Sequence, residues 1–396
     1  MTIDDIRRAR ERLRGVILET PVVEAHGFEG QVKLKAECLQ RTGSFKIRGA
    51  YNKVRSLPAT TRGVICASAG NHAQGVALAA KLVGLGATVV MPEEAPINKI
   101  ERAKALGAEV VLSGHSLEAA YVAAAALAAE RGLSFVHPFD DEAVVTGQAT
   151  LGLELLDQIP EVSTVLVPVG GGGLIAGVAL AIKSVAPAVR VVGVQAEGAT
   201  AAERSFHAGR LIEAERSDTL ADGIRVGRVS ALTLDLMSRY VDDIVLVSDE
   251  EIGTAMFQLL DREKLVVEGA GAAAYAALRT GRVELRGQTC VVLSGGNVDL
   301  NLVARVVERG LTRAGRYAVV TACIADRPGG LYAVVGELAR LKVNLIDVIH
   351  RRAGFEIPVG MVAVDILVET RDRAHGEAIA LALREAGLDA AIKDAS

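Results

Sequence analysis

One lysine in this sequence lies in a setting that suits covalent chemistry. Lys46 stands between Phe45 and Ile47 in the segment TGSFKIRGA, residues 42–50. Between apolar neighbours, loss of hydration favours the neutral amine, and a neutral lysine can act as a nucleophile or a base. The alternative from this segment alone is an ordinary helix start, with Ser44 as N-cap and Lys46 as a solvated surface charge.

Four consecutive glycines follow the strand-like segment TVLVPV and precede the helix-like segment LIAGVALAIKSV. A tight turn needs only one or two glycines, and ordering four costs considerable conformational entropy. Uncovered N–H groups at a helix start suit a phosphate group. The GxGxxG and GxxxxGK[ST] patterns of dinucleotide and P-loop sites are absent from this run. We therefore predict a phosphate site at Gly170, Gly171, Gly172 and Gly173.

Two further polar segments follow predicted strands. SAGNHAQG, residues 68–75, offers polar side chains and backbone N–H groups that suit a carboxylate. This predicted carboxylate site comprises Ser68, Ala69, Gly70, Asn71 and His72. The alternative is a helix start capped by Ser68 or Asn71. SGGN, residues 294–297, is by itself an ordinary polar turn that brings a hydroxyl, Ser294, to a strand end.

Together these segments supply a lysine, a phosphate site, a carboxylate site and a hydroxyl. A phosphorylated aldehyde cofactor that binds lysine as a Schiff base and acts on amino acids needs this set of groups. The sequence therefore predicts such a cofactor on Lys46.

The elements that must position these residues alternate between strand and helix. Val- and Ile-rich runs such as GVICA, ATVVMP and SFVHP are separated by helices of 10–15 residues, including an Ala-rich helix from Leu117 to about Glu130. This pattern indicates a parallel sheet covered on both faces. A second such series begins at Thr164, so we expect two α/β lobes with a ligand cleft between them.

The pattern changes near residue 313. Segments from RYAVVTACIAD to DAAIKD read as β-α-β-β-α-β, the order of a ferredoxin-like α+β unit. We therefore predict two domains, residues 1–312 and 313–396, with a linker at TRAGR. The second domain serves either packing and dimerisation or the binding of an effector.

Composition excludes several classes of protein. The 44 Lys and Arg against 48 Asp and Glu give a net charge of −4, which offers no basic surface for nucleic acid or anionic lipid. The four cysteines form no CxxC pair and suit a reducing cytoplasm. The N-terminal segment resembles no secretory signal, and no apolar run reaches the ~18 residues of a membrane span. The low aromatic content, 3%, means that Ala, Val, Leu and Ile must build the core.

SFKIRGA, SAGNHAQG, VPVGGGGLIAG, EGAGA and LSGGN, in this order and spacing, resemble the pyridoxal-phosphate-dependent enzymes of fold type II, and among them the threonine dehydratases, also called threonine ammonia-lyases. The resemblance covers residues 1 to about 312. DRPGGL followed by NLIDVIHRR resembles an ACT domain, a small regulatory module that binds amino acids.

The resemblance implies a role for each matching residue. Lys46 would hold pyridoxal 5'-phosphate covalently and act as the base, Phe45 would pack near its ring, and Asn71 would bind its phenolic oxygen. The phosphate would be bound by Gly170, Gly171, Gly172, Gly173 and the N–H of Leu174, the pyridine nitrogen by Ser294, and the substrate carboxylate by Ser68, Ala69, Gly70, Asn71 and His72. Glu268, in EGAGA, would lie near the ring, and its role stays open.

The implied reaction is β-elimination of L-threonine, and of L-serine, to 2-oxobutanoate or pyruvate and ammonia. Serine racemases of the same fold are the alternative, but they carry a serine at the position of Ala69 and metal-binding carboxylates at those of Gln195 and Ala201. We therefore expect no bound metal. A binding protein without activity, or a nicotinamide dehydrogenase, fits the motifs less well.

In the C-terminal module, an amino-acid effector would contact the loop with Asp326, Gly329, Gly330 and Leu331, and also Asn344. We expect a cytoplasmic homodimer or homotetramer.

Overall fold

The computed structural model describes residues 1–214, 217–352 and 357–393. The chain forms two compact units, Met1–Val298 and Asp299–Ser396. The division comes earlier than the boundary expected after residue 312, because the helix Leu300–Arg313 belongs to the second unit.

A six-stranded sheet forms one lobe of the first unit. Its strands, numbered along the chain and given in spatial order, are β1 (Val22–Glu24), β2 (Val32–Lys35), β10 (Gln288–Val292), β7 (Val162–Pro168), β8 (Arg190–Ala196) and β9 (Asp243–Val247). β1 pairs antiparallel with β2, and the other neighbours pair in parallel. The nearly continuous burial of β7, β8 and β10 confirms the sheet covered on both faces.

A four-stranded parallel sheet forms the other lobe. Its order is β5 (Glu109–Leu112), β4 (Gly86–Met91), β3 (Gly63–Ala67) and β6 (Ser134–Phe135). The strand predicted over residues 134–138 is thus too long. Pro138 has no N–H to donate to a ladder, and the chain leaves the sheet after Val136, whose N–H still donates to Ile65 O at 2.9 Å.

Helices flank both sheets. They are α1 (Ile3–Leu13), α2 (Lys46–Arg55), α3 (Asn71–Val83), α4 (Ile97–Ala105), α5 (Leu117–Arg131), α6 (Glu142–Gln158), α7 (Gly173–Val185), α8 (Ala201–Ala208), α9 (Ala231–Tyr240), α10 (Asp249–Gln258) and α11 (Gly269–Arg279). Short 3-10 turns span Glu37–Leu39 and Asp222–Ile224, and a π-helical turn spans Leu259–Glu263. The core is built from Ala, Val, Leu and Ile, as the composition predicts.

Helix α2, which begins at Lys46, packs unusually closely on α6. A methyl group on Gly147 would lie 2.5 Å from the backbone oxygen of Arg48, and one on Gly49 would lie 2.6 Å from that of Val144. Since only glycine allows this approach from both sides, the two residues fix how deeply α2 sits in the unit.

A buried group of four charges also anchors α2. The fully buried guanidinium of Arg48 binds both carboxylate oxygens of Glu37 at 2.8 Å and donates to Glu154 at 2.9 Å. Lys35 donates to the other oxygen of Glu154 at 2.5 Å. Two cations and two anions leave no net charge, and each ion is hydrogen-bonded, as burial requires. Removal of one member would leave an uncompensated buried charge, so this group constrains the position of Lys46 two residues earlier.

The second unit begins with α12 (Leu300–Arg313) and continues with β11 (Tyr317–Ala325), α13 (Gly330–Arg340), β12 (Leu345–Arg351), β13 (Met361–Glu369), α14 (Arg373–Glu385) and β14 (Asp389–Lys393). After α12 the order is the predicted β-α-β-β-α-β. The four strands form an antiparallel sheet in the order β12-β13-β11-β14.

Candidate active site

Lys46 is the first residue of α2 and is half-buried, which excludes the solvated surface charge. Its Nζ donates to Pro138 O at 3.3 Å and lies 5.1 Å from the centre of the Phe45 ring. Burial lowers the pKa of Lys46 to about 8, although the negative charge of Glu268 acts in the opposite direction. A substantial fraction of this amine is therefore neutral near pH 7–8, as a nucleophile or base requires.

The glycine run forms the turn between β7 and α7. Gly172 is the N-cap, with a φ of 87° that favours glycine, and no side chain caps the helix. A methyl group on Gly171 would overlap the Phe139 ring, and one on Gly173 would lie 2.8 Å from Phe139 Cβ. The turn therefore presents backbone alone, and the first N–H groups of α7, that of Leu174 included, are those that a phosphate binds at a helix start.

The segment 68–75 enters α3 at Asn71, with Gly70 as N-cap and no capping side chain. This excludes the start capped by Ser68 or Asn71. Instead Ser68 Oγ accepts the N–H of Gly70 at 3.1 Å, so that N–H is not free as the carboxylate site assumed. Ala69, between them, is half-buried.

His72 is buried and its Nε2 donates to Val136 O at 2.8 Å. Burial, together with the nearby charge of Lys46, lowers the pKa of His72 to about 3, so the ring is neutral. In this structure His72 fixes the start of α3 against the segment after β6.

Ser294 is buried and lies beside the residues that lead into α2. Its carbonyl oxygen accepts the N–H of Phe45 at 3.1 Å, and Ser44 forms an isolated antiparallel bridge with Gly295. Two polar segments from opposite ends of the first unit are thereby joined next to Lys46.

Glu268 is buried at the start of α11 and accepts a hydrogen bond from Asn71 Nδ2 at 2.6 Å. Burial, followed by the negative charge of Asp222, raises the pKa of Glu268 to about 7, while Asn71, Lys99 and Lys46 act in the opposite direction. The site thus contains a carboxyl group that can gain or lose a proton near neutral pH.

The segment from Val136 to Phe139 also belongs to this site, a role that its sequence did not indicate. It supplies the acceptors for His72 and Lys46, and its Phe139 ring covers the glycine turn. His137 accepts the N–H groups of Phe139 and Asp140 on Nδ1, at 3.3 and 2.7 Å. The proline directly after a Val–His pair was the available signal that the strand ends here.

The residues predicted to bind an effector lie in the second unit. Gly329 is the N-cap of α13, with a φ of 93°, and Gly330 and the half-exposed Leu331 open that helix. Asp326 N–H donates to Gly360 O at 3.0 Å, and Asn344 Nδ2 donates to Glu369 at 3.1 Å. Asp326 and Gly329 thus lie just before α13, and Asn344 lies just before β12.

Two observations concern metals and membranes. The residues that the structure describes contain no group of three or more His, Cys, Asp and Glu side chains placed to hold a metal ion. Gln195, at a position where serine racemases carry a metal-binding carboxylate, is buried and accepts the N–H of Glu203 at 2.9 Å. Over the same residues, no helix has the length and apolar character to cross a membrane.

Comparisons of the sequence and of the structure with known proteins point to the same kind of protein. The profile of the family described as "Pyridoxal-phosphate dependent enzyme" matches residues 13–295. An L-threonine ammonia-lyase of Thermotoga maritima is 43% identical, and the alignment covers 99% of each chain. The crystal structure of a threonine deaminase from T.th. is 42% identical, with a TM-score of 0.72 over 76% of this chain and 99% of that one. Maize serine racemase is 35% identical, with a TM-score of 0.74 over 79% and 98%.

The chain belongs to the pyridoxal-phosphate-dependent enzyme family and has the α/β fold of its fold type II members. Its residues fit this cofactor: a half-buried lysine with a lowered pKa, a turn with no side chains at a helix start, and a buried serine beside that lysine. Pyridoxal phosphate is the cofactor of the family.

Proposed function

We propose that this protein catalyses the pyridoxal-phosphate-dependent β-elimination of L-threonine, and of L-serine, with 2-oxobutanoate or pyruvate and ammonia as products. The observation that carries the proposal is the placement of Lys46, whose amine lies against Pro138 O, beside the Phe45 ring, in the compact unit that also holds the glycine turn. The similarity to an L-threonine ammonia-lyase over 99% of the chain supports this substrate class.

The predicted site residues have the following parts in the proposed mechanism, in which Asn71 would also bind the phenolic oxygen of the cofactor. When bound, the cofactor withdraws electrons from the substrate and so acidifies its Cα hydrogen. Lys46 would hold the cofactor until the substrate amine displaces it. The amine so released would then take the Cα proton, for which a pKa of about 8 is suited. The glycine turn and Leu174 N–H would bind the phosphate, Phe45 would pack on the ring, and Ser294 would bind the ring nitrogen. A hydroxyl there, unlike a carboxylate, does not enforce a protonated ring, which favours elimination over transamination.

The substrate carboxylate would be bound at residues 68–72. In this structure Ser68 and His72 already hydrogen-bond the backbone, at Gly70 and Val136. We therefore assign the direct contacts to the N–H of Ala69 and the Ser68 hydroxyl, and to His72 a role in orienting the turn.

Replacement of Lys46 by alanine should abolish both the covalent attachment of the cofactor and the release of ammonia from L-threonine. Borohydride reduction followed by peptide mass analysis checks the first, and a coupled ammonia assay checks the second. The matched control is Lys53→Ala, on the same helix and paired with Asp141 at 2.6 Å, which should keep both properties. Full turnover by Lys46→Ala would overturn the proposal.

Serine racemisation is the second candidate, because maize serine racemase shares the fold at 35% identity. The side chain at position 69 is a methyl group, which cannot move a proton on the face of Cα opposite Lys46. We therefore expect 2-oxo acid and no D-serine from L-serine, which chiral chromatography resolves.

We further propose that the second unit is an ACT-type regulatory module, with an amino-acid effector bound near Asp326, Gly329, Gly330, Leu331 and Asn344. Its β-α-β-β-α-β order and the left-handed Gly329 at the start of α13 support this. We also propose a homodimer or homotetramer in the cytoplasm, which the cysteines Cys38, Cys66, Cys290 and Cys323, all unpaired, suit.

A further inference from the structure

Two asparagine side chains form a hydrogen-bonded relay that ends on Glu268. Asn297 Nδ2 lies 2.6 Å from Thr42 O and 2.7 Å from Asn71 Oδ1. Asn71 Nδ2 in turn lies 2.6 Å from Glu268 Oε1. The members come from four segments that are distant in sequence and meet beside Lys46.

The orientation of both asparagine amides in the relay follows from its first acceptor, Thr42 O. A backbone carbonyl oxygen can only accept, so the end of the Asn297 amide that faces Thr42 O must be its NH2 group. The same NH2 group faces Asn71, which must therefore present its oxygen to Asn297 and its own NH2 group to Glu268. The orientation of the Asn71 amide is thus fixed from outside the pocket.

Glu268 alone would fix this orientation only while it is ionised. A protonated carboxyl group can donate as well as accept, and would permit Asn71 to turn around. Because the pKa of Glu268 is about 7, both forms are present near neutral pH. The bond from Asn297 keeps the Asn71 NH2 group directed inward in either state.

The backbone at Gly295 and Gly43 lies so close to the relay that no side chain fits at either position. A methyl group on Gly295 would overlap Glu268 Oε1 and lie 3.2 Å from Asn71 Nδ2. One on Gly43 would lie 2.6 Å from Asn297 Oδ1, and Gly43 has a φ of 69° that disfavours any side chain. The two glycines therefore leave the space that the Glu268 carboxyl group and the Asn297 amide occupy.

We propose that Asn297 is a positioning residue that fixes the Asn71 amide with its NH2 group toward Glu268 and the cofactor pocket. The inference rests on the proposed function, since Asn71 is the residue assigned to the cofactor oxygen. It adds that the donor character of Asn71 is imposed by Asn297 and Thr42, which need not touch cofactor or substrate.

A double-mutant cycle between positions 297 and 268 tests the relay. Asn297→Asp has the same shape but only accepts, so it loses the bond to Thr42 O, and Asn71 must turn its NH2 group toward the new carboxylate. The Asn71 oxygen then faces Glu268, so that two acceptors face each other. Glu268→Gln supplies a donor for that reversed oxygen. The full-length holoenzymes of wild type, both single variants and the double variant are unfolded thermally at pH 8.5 in excess pyridoxal phosphate.

We expect Asn297→Asp to lower the melting temperature by about 3–6 °C. The addition of Glu268→Gln should restore the part of that loss that comes from the two facing acceptors, whereas the part that comes from the lost bond to Thr42 O should remain. Strictly additive losses would overturn the relay, because the two positions would then be uncoupled. Thermal unfolding does not need turnover, so additive losses in variants that still release ammonia would remove this inference and leave the proposed function intact.

The cofactor dissociation constant is the second measurement, and it separates positioning from a merely structural role. In the reversed relay the Asn71 NH2 group faces away from the pocket even when part of the stability is restored. We therefore expect cofactor binding to weaken about tenfold in Asn297→Asp relative to wild type, and again in the double variant relative to Glu268→Gln. Unchanged affinity in both comparisons would overturn the inference.

Asn52→Asp is the matched control. Asn52 is also buried, donates from Nδ2 to Ala143 O at 2.7 Å, and accepts from Arg12 at 3.0 Å, but shares no hydrogen-bond partner with Glu268. Its loss should add to that of Glu268→Gln without rescue. If Asn297→Asp yields no folded protein, recovery of folded double variant supports the relay. If Glu268→Gln folds but the double variant does not, the relay is overturned.

Discussion

At the scale of single residues, Lys46 and Glu268 control each other's charge. Burial lowers the pKa of Lys46 to about 8, and Glu268 opposes that shift; burial raises the pKa of Glu268 to about 7, and Lys46 opposes that one. Because the two pKa values lie close together, the amine and the carboxyl group titrate over the same range of pH and do so as a pair.

This coupling predicts how cofactor capture depends on pH. The neutral amine attacks the aldehyde, so the rate of covalent capture by apoprotein should rise with pH up to about 8 and then level off, whereas a lysine at the ordinary 10.5 would keep accelerating. Stopped-flow absorbance between pH 6 and 10 measures it. Glu268→Gln removes the anion and should move the midpoint below that of wild type. A rate that still climbs at pH 10 would contradict the lowered pKa.

The half-buried setting of Lys46 and the place of the glycine turn between a strand and a helix were predictable because both follow from neighbours within a few positions. The link from Asn71 to Glu268 was not, because it joins side chains that meet only through the tertiary fold. The environment of Ser68 and His72 was misjudged for the same reason: their backbone partners, Gly70 and Val136, depend on the exact turn and on where β6 ends.

At the scale of elements, the contact between Phe139 and the turn from β7 to α7 constrains the geometry of the proposed phosphate site. Gly171→Ala should overlap the Phe139 ring and displace either the ring or the turn, weakening cofactor binding roughly tenfold. Equilibrium titration with pyridoxal phosphate measures the change.

Gly253→Ala is the control for this substitution. Gly253 lies in α10 with open space around its Cα, so alanine there should leave cofactor affinity unchanged. Adding Phe139→Ala to Gly171→Ala should recover part of the affinity. If Gly171→Ala alone binds like wild type, the ring does not constrain the turn.

Alternating Val-rich strands and helices made the parallel strands of both sheets predictable, but not the antiparallel β1, and α5 begins at the predicted residue. The strand predicted over 134–138 was wrong beyond Phe135, because apolar composition continues through Val136 while the hydrogen-bonding capacity ends at Pro138. For this reason no role was predicted for Phe139. Its role depends on the glycine turn against which it packs and not on its sequence neighbours.

At the scale of the whole molecule, the two compact units predict separable functions. Deletion of residues 316–396 should leave ammonia release from L-threonine within a few-fold of the full chain, because the first unit contains every residue assigned to the reaction.

Any change in rate on addition of isoleucine or valine should disappear with the same deletion. Steady-state assays of both proteins with a panel of amino acids measure it. An effector response that survives in the shortened protein would place the regulatory site in the first unit and remove the role proposed for Asp326 and Asn344.

The pairing of Phe45 with Ser294 also has a consequence for biosynthesis. A ribosome completes α2 long before it reaches Ser294, so in a nascent chain the amide that precedes Lys46 still lacks its native acceptor. If Lys46 holds the vitamin-derived aldehyde as proposed, its final geometry should form only after translation has passed the SGGN turn. Fragments released earlier should then emerge from translation without the yellow chromophore.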